Sequence, residues 1–470
     1  MARPPNIQLL TAHVLTPCNM IFTGRAEDGR SVAVEVGGVY PYLWVRLPAT
    51  WIREDGVPKK FLLDNLFKDL DAEVRRRTVK DVNEQRAKRG SADLLDADTW
   101  DVSLVRFSGC GELKQFCRFH GYDPEPKKFI KVSFDSARAV RHAREALCAP
   151  RRWFKTAGRD PTSGEALCPP AFELAEADLD FTVQACADAG LTPGRWFTLQ
   201  PWTRPVKLRS RTDLGYKVEM KDLVPLDDKA GLAPSRVLSF DIETLTKDLG
   251  NGACRFYDGD DPEGKCLCIA ACTMVVGRPG MERFVFAIDP DTVCERKQRV
   301  ATASGEGHVT VVWLPDETSV LREFIKHINA TDPDFITGWN VDRFDWGWLS
   351  LAAIRCGLDS FWDFSRFANF PRCYYNTRLY KDKVLARQLK KKVILQTPGR
   401  VPYDLFTWFK RNVQLPAYTL NSVAETYGCG AKDDVKYAEI GELFKTPEGR
   451  LKLAVYCGAF HCCFYWTADS

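Results

Sequence analysis

Short runs of alternating apolar and polar positions dominate the amino-terminal part of the chain. The runs 19–23 and 31–36 flank the polar stretch Ala26-Glu27-Asp28-Gly29-Arg30. Asp-Gly between alternating segments predicts a β-hairpin, because glycine accepts the positive φ that a tight turn needs. The apolar run 39–45 predicts a continuation of the same sheet. Residues 61–90 space their apolar positions as a helix does, 127–134 read as a strand and 137–147 as a helix. The stretch 151–170 is polar with Pro and Gly and predicts a loop. A second polar, proline-bounded stretch, 222–234, reads as the approach to the next domain.

From Arg236 the pattern changes to strands alternating with helices. Residues 237–240 form a short apolar strand and 283–288 another. Between them 267–276 is apolar without interruption, as a central strand buried on both faces should be. Asp316 is placed to cap a helix whose apolar side carries Val320, Leu321, Phe324, Ile325 and Ile328. A strand over 334–339 and a helix over 345–354 follow. Further helices are predicted over 404–411, 420–427 and 447–456, with Gly428 stopping the second and Pro447 starting the third. Strands followed by helices predict a three-layer α/β core.

Composition narrows the class. A chain of 470 residues exceeds one ordinary core, so two or three domains are expected. The net charge of +4 neither indicates nor excludes a nucleic-acid partner, since a basic groove can hide in a balanced total. No charged-then-apolar leader is visible near Met1 and no apolar stretch is long enough to span a bilayer, so an intracellular chain with reduced thiols and no membrane partner is expected. Cys266, Cys268 and Cys272 lie within one apolar run and read as small core residues. Cys457, His461, Cys462 and Cys463 fit no common zinc spacing.

The candidate chemistry lies in carboxylates. Asp241 and Glu243 alternate along a strand and therefore share a face. Asp345 opens a helix shortly after the segment Asn340-Val341-Asp342-Arg343-Phe344. Phosphodiester cleavage by paired cations needs several carboxylates at one point, because hard cations such as Mg²⁺ bind through oxygen. Near the far end of the chain Tyr456 lies on the last helix, and position 460 shares its face one turn on.

Each piece is common alone; their order is not. Ser239-Phe240-Asp241-Ile242-Glu243-Thr244, Thr337-Gly338-Trp339-Asn340 through Asp345, and Arg450-Leu451-Lys452-Leu453-Ala454-Val455-Tyr456-Cys457 resemble the three exonuclease motifs of family B DNA polymerases. Phe22-Thr23-Gly24-Arg25 through Val32 and Gly38-Val39-Tyr40-Pro41-Tyr42 resemble the family's opening hairpin and its continuation. Gly399-Arg400-Val401-Pro402-Tyr403-Asp404-Leu405 and Leu415-Pro416-Ala417-Tyr418-Thr419-Leu420 resemble the run between the second and third motifs. The chain is thus similar, over nearly all its length, to the amino-terminal half of a polymerase of the eukaryotic delta and large-virus type.

That resemblance implies a mixed, β-rich amino-terminal domain over 1–235 and a ribonuclease-H-like exonuclease domain with a central mixed sheet over 236–460. It implies proofreading 3′→5′ hydrolysis of single-stranded or frayed DNA. Asp241, Glu243 and Asp345 would hold two Mg²⁺ (or Mn²⁺) ions, and Tyr456 would orient the attacking water. Asn340 and Phe344 would contact the DNA end, and Lys390, Lys391 and Lys392 would lie on a hairpin that parts primer from template. In the parent polymerase, accessory subunits and a sliding clamp are expected partners, with the nucleus or a viral replication compartment as the location. Phe344, Phe240 and Tyr403 are candidates for stacking on a base, and each also fits an ordinary core role. Asp404 reads as a helix cap, and Arg75-Arg76-Arg77 as a solvated helix face.

The departures define the alternatives. Phe460 stands where the family has its last metal-binding aspartate, and 461–470 read as an aberrant tail after which no palm sequence follows. A truncated parent with a weakened exonuclease, a nuclease-dead DNA-binding or scaffold fragment, and a translated artefact all fit the sequence. Nucleotide transfer is not expected of it.

Overall fold

The computed structural model describes residues 3–16, 18–88, 105–106, 114–116, 127–155, 158, 164, 167–250, 253–301, 307–368, 373–381, 389–427 and 435–460. The tail 461–470, with His461, Cys462 and Cys463, and the predicted stop Gly428 lie outside the described residues.

The strands β1 (Ile7–Thr16), β2 (Asn19–Ala26) and β3 (Ser31–Gly37) form the predicted antiparallel hairpin and its neighbour. Gly29, at φ +89, makes the turn. The next strand, β4 (Tyr42–Arg46), does not continue that sheet, contrary to the pattern of 39–45. Gly38 takes φ +71, a left-handed kink that redirects the chain. A second sheet then forms from β4, β5 (Val105–Arg106), β6 (Lys114–Phe116), β7 (Lys127–Phe134) and β8 (Leu174–Ala175). Two helices, α1 (Lys60–Lys88) and α2 (Ala137–Leu147), bury their apolar faces on it through Leu62, Leu66, Leu70, Ala139 and Ala143. Ser136 caps α2, accepting from the Ala139 N–H at 3.1 Å. The Arg75–Arg77 face is ion-paired as well as solvated: Glu73 holds Arg76 and Arg77, and Asp71 holds Arg75. The chain returns through α3 (Phe181–Asp188) to β9 (Trp196–Leu199), β10 (Leu214–Glu219) and β11 (Leu223–Pro225), which complete the first sheet in the order β10-β3-β2-β1-β9-β11. The stretch 222–234 is therefore partly strand.

The third sheet carries the candidate chemistry. Its strands are β12 (Arg236–Thr244), β15 (Cys266–Val275), β16 (Met281–Ile288), β17 (Arg296–Ala301), β18 (His308–Leu314), β19 (Phe335–Gly338) and β22 (Val401–Asp404), in the order β17-β18-β16-β15-β12-β19-β22. Between them lie the hairpin β13 (Thr246–Gly250) and β14 (Ala253–Phe256), and the hairpin β20 (Tyr374–Lys381) and β21 (Leu389–Gln396). The helices are α4 (Glu317–Thr331), α5 (Asp345–Arg355), α6 (Leu405–Asn412), α7 (Leu420–Thr426), α8 (Ile440–Leu443) and α9 (Pro447–Phe460). The sheet is mixed: β12 runs antiparallel to β15 and parallel to β19. The expected α/β class with a central mixed sheet is what the chain adopts.

The sheet is a sandwich filling. Leu238, Phe240 and Ile242 of β12 face α4 and α5, packing with Phe324, Trp346 and Leu349. Cys268 and Ala270 of β15 face the other way, onto Ala454 and Cys457 of α9. The strand β15 is buried on both faces, as its unbroken apolar run predicts. Cys266, Cys268 and Cys272 are buried thiols of that strand, outside any disulfide.

A buried ionic cluster joins the first sheet to the third. Arg25 of β2 donates to Asp334 at 2.8 Å, and Arg366 reaches the same carboxylate at 2.7 Å. Arg366 and Arg400 each reach Asp332 at 2.9 Å. The Asp334 carboxylate also accepts the Arg236 backbone N–H at 2.8 Å, which sets the start of β12 beside that of β19.

Candidate active site

The strand period of two puts Asp241 and Glu243 on one face of β12, opposite in facing to Phe240 and Ile242. Their register partners on β15 are Ala270 and Cys268, both packed toward α9. The two carboxylates therefore look toward α9 at the carboxyl end of their strand. Glu243 is buried and Asp241 half-buried.

Asp345 arrives by another route. The parallel neighbour β19 ends at Gly338, and the chain turns sharply at Asn340, whose φ is +62. The helix α5 then begins at Asp345, beside the end of β12. The turn is held from a distance by Asp404, which accepts the N–H groups of Asn340 at 3.1 Å and Asp342 at 3.3 Å. Asp404 also caps α6 through the Thr407 N–H at 3.2 Å, as its position predicts. Its hold on the Asn340 turn has no signal in the sequence, since the partners lie on separate elements.

Asp345 is 1 % exposed, and its Oδ1 has no hydrogen-bond partner among the described residues. Burial, and then the charge of Asp241, push its carboxyl well above the ordinary range, against the Asp345 and Ile242 backbone N–H groups that pull it down. Three carboxylates thus converge, one with a bare buried oxygen. A hard divalent cation supplies the charge and the coordination that such a group lacks, so the residues fit one.

The three carboxylates line a cleft of about 420 Å³ together with Asn340 and Phe344. Phe344 is 44 % exposed there. Phe256 of the β13–β14 hairpin and Tyr437, which precedes α8, also line it, 52 % and 60 % exposed, with their rings 5.2 Å apart edge to face. Neither carries a signal in the sequence, because nothing local distinguishes an aromatic at a cleft from one in a core. Phe240 is fully buried against Phe324 and Trp346, so the core reading of that residue is the right one. Tyr403 is 38 % exposed on β22.

Tyr456 lies on α9 and packs against the cluster of Leu267, Val435, Ile440 and Leu453. The next residue, Cys457, is fully buried, and its thiol donates to the Asp241 carbonyl at 3.8 Å. A hydrogen bond shared with Cys268, and burial, push the Cys457 thiol well above its ordinary range. The ligand atoms of Asp241, Glu243 and Cys457 all lie within 4.8 Å of one another. The backbone of Lys390, Lys391 and Lys392 runs in β21, opposite Tyr380, Leu379 and Arg378 of β20. The side chains of the three lysines, and that of Phe460, lie outside the described residues. The backbone of Phe460 is the last residue of α9.

Residues 172–423, just over half of the chain, match the family described as DNA polymerase family B, exonuclease domain. The chain is 24% identical over 442 residues to the DNA polymerase delta catalytic subunit of Dictyostelium discoideum, covering 92% of this chain and 35% of that protein. It is 26% identical to the delta catalytic subunit of Mesocricetus auratus, over 94% of this chain and 36% of the relative. It is also 26% identical to the DNA polymerase catalytic subunit of Tupaiid herpesvirus 1, over 95% and 33%. The chain spans about a third of the length of these relatives. Its fold resembles that of the family B DNA polymerase from Pyrobaculum calidifontis, with a TM-score of 0.57 and 18% identity over 97% of this chain and 44% of that one. A matched exonuclease region, a mixed sheet and three converging carboxylates agree, and the chain belongs to DNA polymerase family B, whose exonuclease domain it carries.

Proposed function

We propose that this chain is the amino-terminal and editing portion of a replicative family B polymerase and that its reaction is 3′→5′ hydrolysis of single-stranded or frayed DNA. The observation that carries this reading is the bare buried oxygen of Asp345 beside Asp241 in the cleft. Asp241, Glu243 and Asp345 would hold two divalent cations, Mg²⁺ or Mn²⁺. When bound, such ions activate water and stabilise the leaving oxygen of a phosphodiester. The chain's own residues do the positioning. Asn340 and Phe344 steady the terminal nucleotide, and the exposed rings of Phe256 and Tyr437 offer stacking surface to unpaired bases. Tyr456 orients the attacking water. Lys390, Lys391 and Lys392 on the β20–β21 hairpin contact phosphate where strands part.

The core built from residues 238–373 is separate from the two cores built within 1–235, which supports a division near residue 235, with the amino-terminal domain over 1–235 and the exonuclease domain over 236–460. In the whole polymerase the partners would be DNA, accessory subunits and a sliding clamp, in a nucleus or a viral replication compartment. No helix among the described residues is long and apolar enough to cross a membrane.

One observation favours a second reading, a DNA-binding module with little or no nuclease activity. The helix α9 runs through Phe460, so that position keeps helical register with Tyr456 and yet carries no oxygen ligand. The two readings separate in one assay: release of 3′-terminal nucleotides from single-stranded DNA with Mg²⁺ or Mn²⁺, by the wild type and by the Asp241→Ala, Glu243→Ala double variant. Cation-dependent release that the double variant loses supports the enzyme. Equal release by both refutes the assigned site, and DNA binding without release by either leaves the binding module.

A further inference from the structure

We propose that the exposed segment 201–212, between β9 and β10, is a second binding surface for single-stranded DNA, with Lys207 and Arg209 on phosphates and Trp202 stacked on an unpaired base. It lies away from the carboxylate cleft. The inference goes beyond the hydrolytic reading, since the surface binds whether or not the chain cleaves.

Charge is the first support. The segment holds Arg204, Lys207, Arg209 and Arg211 and no Asp or Glu, so it accounts for the whole net charge of +4 and the rest of the chain is neutral in sum. All four cations are exposed. The neighbouring cations Arg195 and Lys217 pair with Asp227 and Glu35, whereas Lys207 and Arg209 have no ion-pair partner among the described residues. The second support is independent. Trp202 is 67 % exposed and meets no other ring or cation among the described residues. An indole held in water beside unpaired cations offers a stacking face next to phosphate contacts, which is how single strands are bound without regard to sequence.

The segment is also held in place. The Val206 N–H donates to the Gly215 carbonyl at 2.8 Å, and Leu208 packs on Ile21, Ala33 and Phe367. Further on, the Arg211 N–H donates to the Arg366 carbonyl at 2.7 Å and the Ala368 N–H to the Arg209 carbonyl at 3.1 Å. From 207 to 212 exposed and half-buried residues alternate, which turns Lys207 and Arg209 out and Leu208 and Ser210 in. Alternate side chains of an extended segment stand about 6.6 Å apart, close to the phosphate spacing of a single strand. Duplex DNA would satisfy the cations but keeps its bases stacked away from the indole, and an acidic peptide has no base to offer it. Arg366 and the Arg236 N–H meet on Asp334 at the start of β12, whereas Asp241 and Glu243 lie toward its other end. The five strand residues from Arg236 to Asp241 span about 17 Å, so a trinucleotide in the cleft does not reach the segment.

The test is fluorescence anisotropy of a labelled oligothymidylate of about twenty nucleotides with the full chain in EDTA, at several salt concentrations. Lys207→Ala with Arg209→Ala should weaken binding about tenfold and cut the slope of log affinity against log salt by about 1.4, the share of two phosphate contacts. Trp202→Ala should weaken it about tenfold as well, and Trp202→Phe should restore most of the loss. Lys326→Ala with Lys445→Ala removes the same charge from two exposed lysines paired to Glu323 and Glu442, and should change little. An equal loss in that control reduces the effect to bulk charge and overturns the proposal, as does unchanged binding in the Lys207, Arg209 variant. Duplex DNA or polyglutamate bound as tightly as the oligothymidylate, with Trp202→Ala silent, overturns the single-strand assignment in favour of a general polyanion surface. The Asp241→Ala, Glu243→Ala double variant should keep the Trp202-dependent binding, which separates this surface from the cleft. Any release of nucleotides from a trinucleotide should be the same in wild type and in the Lys207, Arg209 variant. Photocrosslinking of an iodouracil oligomer to the wild type needs no variant. Adducts on peptides from 201–212 are expected, and adducts confined to other peptides overturn the inference.

Discussion

The Asp404 carboxylate accepts the backbone N–H of Asn340 at 3.1 Å and so fixes, from the start of α6, the left-handed turn that delivers Asp345. Three N–H groups converge on that one side chain, from Asn340, Asp342 and Thr407. Asp404→Ala should cost about 2–3 kcal/mol, the loss of a helix cap plus two stranded donors. Asp404→Asn keeps one acceptor oxygen and should cost less. Urea unfolding of the three proteins measures the order. Any 3′-end release should drop on the order of tenfold or more in the alanine variant, since small shifts of a reacting constellation are expensive.

Asp345 shows how the cluster behaves without cations. Its carboxyl is buried beside Asp241, and Asn is nearly the same shape. In EDTA, Asp345→Asn should therefore raise stability by about 1 kcal/mol, a few degrees in unfolding temperature. Saturating Mg²⁺ should stabilise the wild type and leave the variant nearly unmoved. Equal Mg²⁺ responses in thermal scans would remove Asp345 from the cation site.

Phe460 bears on activity most directly. The helix α9 includes residue 460, so an aspartate there would lie one turn beyond Tyr456. Phe460→Asp should raise Mg²⁺-dependent release of 3′ nucleotides above a feeble or absent wild-type rate. Strong wild-type cleavage that Asp469→Ala destroys would show that the chain has found another fourth carboxylate.

Asp342 supplies a pH dependence. Burial, and then the charge of Asp404, lift its carboxyl to about 6, against Arg343. A folded-state value above the unfolded one means that the folded protein holds the extra proton between roughly pH 4 and 6. Its contribution to stability falls as pH rises through that window and is flat above it. Asp342→Asn should flatten this part of the profile, gaining on the order of 1 kcal/mol at pH 7 and nothing at pH 4, after allowance for solvent screening. Denaturant unfolding at the two pH values decides it.

Arg25 is fully buried and salt-bridged to Asp334. Arg25→Ala leaves that carboxylate with one fewer cation and should destabilise the protein by about 3–5 kcal/mol. An effect below about 1 kcal/mol in equilibrium unfolding would mean that water or Arg366 compensates fully.

Local order was legible in the residues themselves. Period two alone put Asp241 and Glu243 on one face and Phe240 and Ile242 on the other, because a strand allows no other arrangement. The helix over 137–147 and the caps Asp316 and Asp404 followed from side-chain chemistry acting within four residues. The family was legible too, in the order of its motifs. Tertiary structure decided the rest. It sent β4 into a second sheet, buried Phe240 in the core, and brought Phe256 and Tyr437 to one rim. It also set the Cys457 thiol against the Asp241 carbonyl across a sequence separation of 216. Contacts of that kind depend on which faces of distant elements bury one another, and neither periodicity nor propensity encodes that choice.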